Sequence, residues 1–373
     1  MSAVQKLTLA RVFASTFCEL IAVLMLMPVM TLRLAARAEP PWVIGFFGAT
    51  LYVAIFIVTP FAAACTRRFG LRATYVLSGS TPLLAVAIVL ATSQLAWWFL
   101  AAVVLGLFGG LRWVTAEAYV AEVAPANRRG VVIGAFETMV GACFVIGPLL
   151  ISWTGIDGAR PLWVCGGLLL LGIACLFGLP SLVTHGEVSS RVAFTQLARE
   201  RPLIVIAALI GGMLESTPTT FLPVVSLASG AAAATAAMLV AVLGVGGFIC
   251  QVPVGHYADR RPLDTLFRLC LWGVLAGGGA LLAAVHWPML LWPIALVWGA
   301  AAGGIYTLAM ITIGHAYSGV ALVGATAALV FAYSLGGAAG PALAGLAIDL
   351  APQAGLPLLM CTVALVGLAL IRQ

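Results

Sequence analysis

Charge is what this chain lacks: of 373 residues only 8% are Asp, Glu, Lys or Arg, whereas 63% are apolar. A soluble domain carries about 25% charged residues, so an ordinary globular enzyme is excluded. Disorder, collagen and a secreted disulfide scaffold are excluded by the same apolar excess. Histidine is scarce, and His185, His256, His286 and His315 fall in loops or at helix ends without a metal-ligand spacing between any two. The eight cysteines form no Cys-x-x-Cys pair and no Cys/His cluster. Neither a metal centre nor a disulfide framework is therefore expected, and the cysteines read as small, soft packing residues. No nucleotide-binding loop occurs, which removes an internal ATP motor. No nucleophile, base and acid stand together, so neither enzyme chemistry nor a cofactor is expected.

What is present is a series of long apolar runs without strict alternation, the signature of lipid-embedded helices rather than a barrel. They fall at 10–33, 41–65, 73–93, 96–120, 130–153, 161–180, 202–227, 231–255, 264–285, 288–312, 319–346 and 355–371, twelve spans in all. At about 20 residues per span, no length is left for a soluble domain. The first run holds Glu19 and no small-residue cleavage site, and reads as a span rather than a signal peptide. With both termini in the cytoplasm, fourteen Lys and Arg lie in inner segments and only Arg33, Arg37 and Arg160 in outer ones. The +6 net charge is then an orientation signal and asks for no nucleic-acid partner. Trp97, Trp98, Trp163, Trp287 and Trp292 fall near the outer interface, where an aromatic belt belongs.

The longest polar stretch, 181–201, divides the chain into helical bundles at 1–180 and 202–373. Within this linker, Val192, Phe194 and Leu197 predict an amphipathic tether on the inner membrane surface. A shift of 192–193 residues aligns the halves. It places Ala64–Arg72 on His256–Asp264, Gly147-Pro148 on Gly340-Pro341, and Gly106 and Gly110 on Gly299 and Gly303. Paired halves of this kind predict a transporter with its site near the repeat interface.

These motifs carry a family resemblance. Gly-x-x-Ala-Asp-Arg from Gly255 to Arg260, Tyr119–Gly130 between spans four and five, and the two Gly-Pro pairs resemble the major facilitator superfamily along essentially the whole chain. The stretch from Trp298 to Met310 is similar to small bacterial drug- or sugar-efflux-like permeases. The resemblance implies an all-α membrane protein of two pseudo-symmetric six-helix bundles, a monomer in the bacterial cytoplasmic membrane that moves a small molecule by alternating access. It implies gating at Arg68 and Gly70 in the first half and at Gly255, Asp259 and Arg260 in the second, with flexing at Gly147, Pro148, Gly340 and Pro341. Arg67 stands where the first-half loop of the family has its acid, so Asp259 with Arg260 is expected to carry more of the gating. The usual Arg early in span four would fall near Ala102, and Arg112 lies further along instead.

The residues that point to function are the charges inside spans: Glu19, Arg112, Glu117, Glu137 and Glu215. Each costs about 2.5–3.5 kcal/mol at mid-bilayer unless it finds a partner or water. At about 1.5 Å per residue, Glu19, Arg112 and Glu137 share one layer, roughly 12–15 Å from the cytoplasmic edge. Pairing of Arg112 with Glu19 or Glu137 is expected, as a structural network or as part of a substrate site. Glu117, nearer the inner surface, reads first as snorkelling or local capping. Glu215 lies about 21 Å past Arg201, followed by Pro218, which is expected to kink its helix. A carboxylate without a fixed cation can exchange its charge for a proton, the property of a proton carrier. Gln251, Tyr306 and Tyr333 are candidates to line the second-half cavity, or to make ordinary interhelical hydrogen bonds.

The function expected from these residues is proton-coupled export of an amphipathic compound. The alternatives are an importer or exchanger of a sugar-like or anionic metabolite held by Arg112, and a transport-inactive receptor or assembly factor. Five retained intramembrane charges argue against the last.

Overall fold

The computed structural model of the chain describes residues 3–125, 129–180, 190–258, 260–284, 286–317 and 319–371, which are almost wholly helical. The helices are α1 (Ala3–Ala36), α2 (Pro41–Val58), α3 (Ala62–Phe69), α4 (Leu71–Ser80), α5 (Pro82–Ala91), α6 (Leu95–Val123), α7 (Arg129–Thr154), α8 (Arg160–Ala174), α9 (Ser190–Glu200), α10 (Pro202–Ala228), α11 (Ala233–Ala258), α12 (Leu263–Ala284), α13 (Leu291–Ala316), α14 (Gly319–Leu350) and α15 (Gly355–Leu370). Among the described residues, ten helical segments are long and apolar enough to cross a membrane, and α8 and α15 are shorter apolar helices. Together they account for the twelve spans.

Local chemistry explains the differences from the sequence boundaries. The third span is two helices, because Thr81 ends α4 and Pro82 begins α5, where a missing N–H costs nothing. The sixth span stops at Ala174 and not at 180, since the chain turns through Gly178 at φ +75°. Arg11 Nη1 donates to the Gly178 carbonyl at 2.7 Å and fixes that turn. Between α3 and α4, Gly70 has φ 82° and ψ 153°, backbone that only glycine adopts readily.

By packing, the chain forms two units: 1–30 with 53–187, and 31–52 with 188–373. In the first, Val12, Tyr75, Tyr119 and Phe136 sit in one apolar cluster. In the second, Leu197 of α9 joins Ile204, Ala309 and Ala328, and the Phe194 ring meets Phe331 edge-on at 5.1 Å. Tyr317 also donates to Glu200 Oε2 at 2.9 Å, so α9 is anchored at both its apolar face and its end.

The internal repeat reappears as repeated helix contacts. A methyl on Gly147 of α7 would lie 2.9 Å from Leu24 Cβ of α1, and one on Gly340 of α14 would lie 3.0 Å from Met213 Cα of α10. Span five thus meets span one as span eleven meets span seven. Likewise Gly110 of α6 faces Val58 and Ile55 of α2, and Gly303 of α13 faces Gly247 of α11. Small residues allow such close backbone approach, and van der Waals packing is the main attraction between helices in lipid.

The seam between α11 and α13 is tight, and methyls on Gly246 and Gly299 there would overlap the carbonyl oxygens of Leu296 and Leu243. Gly299→Leu is therefore expected to cost about 1–3 kcal/mol or more, because neither backbone can yield. A drop of several degrees in the thermal midpoint of the detergent-solubilised protein checks this; an unchanged midpoint would mean that the seam parts freely.

The belt expectation needs one correction. Trp97, Trp163 and Trp287 are exposed, but Trp98 is only 1% exposed and its Nε1 donates to the Thr92 carbonyl at 2.9 Å. It is a packing residue that closes the loop before α6. All eight cysteines are free thiols.

Candidate functional site

The structure sorts the five intramembrane charges into three groups. The first is a closed ion pair between α1 and α6. Glu19 Oε2 lies 2.5 Å from Arg112 Nε, at 5% and 3% residue exposure. Arg112 Nη1 donates to the Tyr75 carbonyl at 3.0 Å and Nη2 to Ser15 Oγ at 2.5 Å. The guanidinium also stacks over the Tyr75 ring, 3.6 Å from its centroid. Tyr75 is held in turn, sharing a hydrogen bond with Thr16 Oγ1 at 3.1 Å and donating to the Val12 carbonyl at 3.3 Å. Space for the guanidinium comes from Gly79, where a methyl would lie 2.9 Å from Nη1. With hydrogen bonds, charge and ring face all engaged, this arginine has little left to offer a passing anion.

The second group is acidic. Glu137 of α7, in the same estimated layer as Arg112, interacts with Glu117 of α6 instead. Trp113 lies one turn before Glu117 on the same face of α6, which sets its ring beside the carboxylate. Glu117 is exposed and Glu137 half-buried. Five residues on from Arg112, Glu117 points some 140° away around the helix, which is why one turns into the packed interior and the other does not.

The third group is Glu215 of α10, and it has no cationic partner among the described residues. Tyr52 of α2 donates to Oε1 at 3.3 Å, and the Tyr333 hydroxyl of α14 donates to Oε2. Tyr306 of α13 packs edge-on against Tyr333 at 5.1 Å. The helix beneath the carboxylate is unusual in composition but continuous: α10 runs unbroken across Pro218 and Pro223. Hydroxyls take up carbonyls around the prolines, Ser216 on Gly212 at 2.8 Å, Thr219 on Glu215 at 2.6 Å and Thr220 on Ser216 at 2.8 Å.

Of the remaining candidates, Gln251 is exposed on α11. Arg68 is exposed and lies 5.6 Å from the Phe69 ring centroid, beside the Gly70 turn. Gly255 is half-buried near the end of α11, and Arg260 is exposed in the turn after it, its N–H donating to the Tyr257 carbonyl at 3.0 Å. Asp259 lies outside the described residues. Sequence reasoning missed Tyr52, Ser15, Tyr75 and Trp113. Tyr52 and Tyr75 carried a faint signal, a hydroxyl inside an apolar run that must find an acceptor.

Twelve apolar helices in a twofold repeat, with ionisable groups held inside the apolar layer, define a multi-pass membrane transporter. The profile of the Major Facilitator Superfamily matches residues 12–341, and the chain belongs to that family. Members move small molecules and are not enzymes. Among its relatives are the uncharacterised MFS-type transporter YcaD of Salmonella typhimurium, 24% identical over 332 residues, and an MFS-type transporter of Yersinia pestis, 26% identical over 335. Each alignment covers 87% of this chain and 85% of the relative. Solved structures of other transporters share the fold. The nucleoside transporter NupG matches with TM-score 0.77 at 12% identity, over 100% of this chain and 98% of that one. A D-xylose-proton symporter matches with TM-score 0.72 at 16% identity, over 99% and 96%.

Proposed function

We propose that this transporter is proton-coupled and exports an amphipathic organic cation across the bacterial cytoplasmic membrane, with both termini on the cytoplasmic side. The observation that carries the reading is Glu215: a carboxylate deep in α10 whose partners are two neutral hydroxyls. Such a group changes charge without breaking an ion pair, so a proton or a substrate cation can neutralise it in turn. The Glu117 and Glu137 pair supports a cationic cargo, because two neighbouring carboxylates favour a positive ligand and Trp113 adds an aromatic face. With Arg112 committed to Glu19, nothing comparable among the described residues favours an anion.

A second reading, uptake of a sugar-like solute, draws support from the D-xylose-proton symporter among the fold's neighbours. Thermal-shift measurements on the purified protein against lipophilic cations, sugars, amino acids and organic acids at two pH values separate the two. Stabilisation by lipophilic cations is expected; stabilisation by sugars alone would favour uptake instead. Glu137→Gln is further expected to weaken binding of a lipophilic cation several-fold while leaving any binding of a neutral solute unchanged. Equal loss for both ligands, measured by tryptophan quenching, would make Glu137 a packing residue.

A further inference from the structure

We infer that Tyr52 and Tyr333 make Glu215 a latch: while unprotonated and unoccupied, the carboxylate holds the first half of α2 against α10 and α14, and a proton or a cation bound to it releases that segment. The inference rests on the proton-coupling reading above and adds Tyr52 as a positioning residue, one that acts through the carboxylate.

Three observations lead here. First, residues 31–52 belong by sequence to the first repeat, yet they pack with 188–373 and part company with the rest of α2 at Tyr52. Second, the packing includes close contacts of glycine with backbone. A methyl on Gly45 would overlap the Pro341 carbonyl oxygen, and one on Gly345 would lie 2.5 Å from the Pro41 carbonyl oxygen and 2.9 Å from Trp42 Cα. One on Gly48 would lie 2.9 Å from Thr220 Oγ1. Backbones this close gain dispersion energy where glycine removes the side chain between them. Third, the polar clasp sits at the last residue of the docked segment. The Tyr52 ring lies on Gly337, and its hydroxyl reaches the same carboxylate that Tyr333 binds from α14.

The surroundings leave the latch sensitive to one titration. Facing Glu215 are Tyr52 from α2 and Tyr333 from α14, with Tyr306 of α13 behind Tyr333. The other helices packed on α10, namely α9, α11 and α15, bring no charged group to the carboxylate among the described residues. A carboxylate accepts both hydroxyl protons in charge-assisted bonds. Once it binds a proton, one oxygen becomes a hydroxyl and the remaining bonds are neutral, roughly half as strong. A bound cation competes for the same lone pairs.

The latch has a functional consequence. An empty, unprotonated carrier keeps α2 docked and does not turn over. Movement then requires a proton or a ligand on the carboxylate, the exchange that export against a proton gradient needs.

The test uses spin labels at Phe46→Cys and Leu343→Cys, both exposed positions on the docked helices, in the full chain with its native cysteines replaced. Pulsed distance measurements in lipid nanodiscs are expected to give a single short distance at alkaline pH and an added longer population at acid pH. Glu215→Gln is expected to show the longer population at both, and Tyr52→Phe to raise it several-fold at alkaline pH. Distances that do not change with pH, or a Tyr52→Phe protein identical to its parent, would overturn the latch. If Glu215→Gln loses pH-driven transport while the distances stay fixed, proton coupling stands and only the latch is lost. Loss of neither pH-driven transport nor the distance response removes both.

Discussion

Glu215→Gln is expected to abolish transport driven by a pH gradient in proteoliposomes while leaving the protein folded. The amide has the shape of the carboxylate and can still accept from one tyrosine hydroxyl, but it cannot take or release a proton. Because the partners of Glu215 are the neutral hydroxyls of Tyr52 and Tyr333, the substitution strands no buried charge. Thermal stability and elution profile should therefore stay close to the parent, so that lost transport reports coupling and not unfolding. Exchange of labelled for unlabelled substrate, which needs no net proton movement, is the second readout. It should survive, at least in part, when pH-driven accumulation is gone. Full accumulation by Glu215→Gln would remove this residue from the coupling mechanism and move attention to Glu117 and Glu137.

Breaking the ion pair between α1 and α6 is expected to have the largest effect on stability. Arg112→Leu leaves the Glu19 carboxylate buried opposite an aliphatic side chain, and uncompensated buried charges of this kind cost about 3–5 kcal/mol. Much of a protein's total margin is of that size, so a sharp fall in folded yield and in the denaturation midpoint should follow. The double variant Glu19→Leu with Arg112→Leu removes both charges, and is expected to recover most of the loss, since well-packed apolar groups often replace a buried pair at little cost. A stable double variant that still transports would confine the pair to holding the first unit together. A stable double variant without transport would give the pair a part in the cycle. If the single variant proves as stable as the parent, water or a neighbouring side chain reaches Glu19, and the closed cluster described above is wrong.

These two experiments separate charges that look alike in the sequence. Glu19, Arg112 and Glu137 have nearly the same estimated depth, and depth alone left both acids as partners for the arginine. The choice was made by neighbours far away in the chain. Ser15 and the Tyr75 carbonyl orient the guanidinium toward α1, and Gly79 leaves room for it there. Glu137 was left beside Glu117, a meeting that the separate readings of two spans did not suggest. Tyr52 was passed over because a single tyrosine in an apolar run is common; only the packing of α2 on α10 and α14 sets it beside Glu215. Trp98 shows the same limit, since its place in the chain matched an interface and its ring points inward.

Periodicity and composition were sufficient for the broad architecture. An apolar chain in lipid must bond its own backbone, so length and hydropathy dictate helices, and twelve runs give twelve spans. The repeat was legible because close approach of two helices demands small residues wherever it recurs, and Gly147 and Gly340 have kept equivalent places. Ends of helices were less legible, as at Gly178 and Thr81, where a turn depends on contacts that local sequence does not contain. The sequence by itself thus determined that the chain is a membrane bundle of two related halves with a few costly charges inside. Only the tertiary structure decided which of those charges are neutralised and which remain open, because that depends on the direction of each side chain and on partners brought from distant helices.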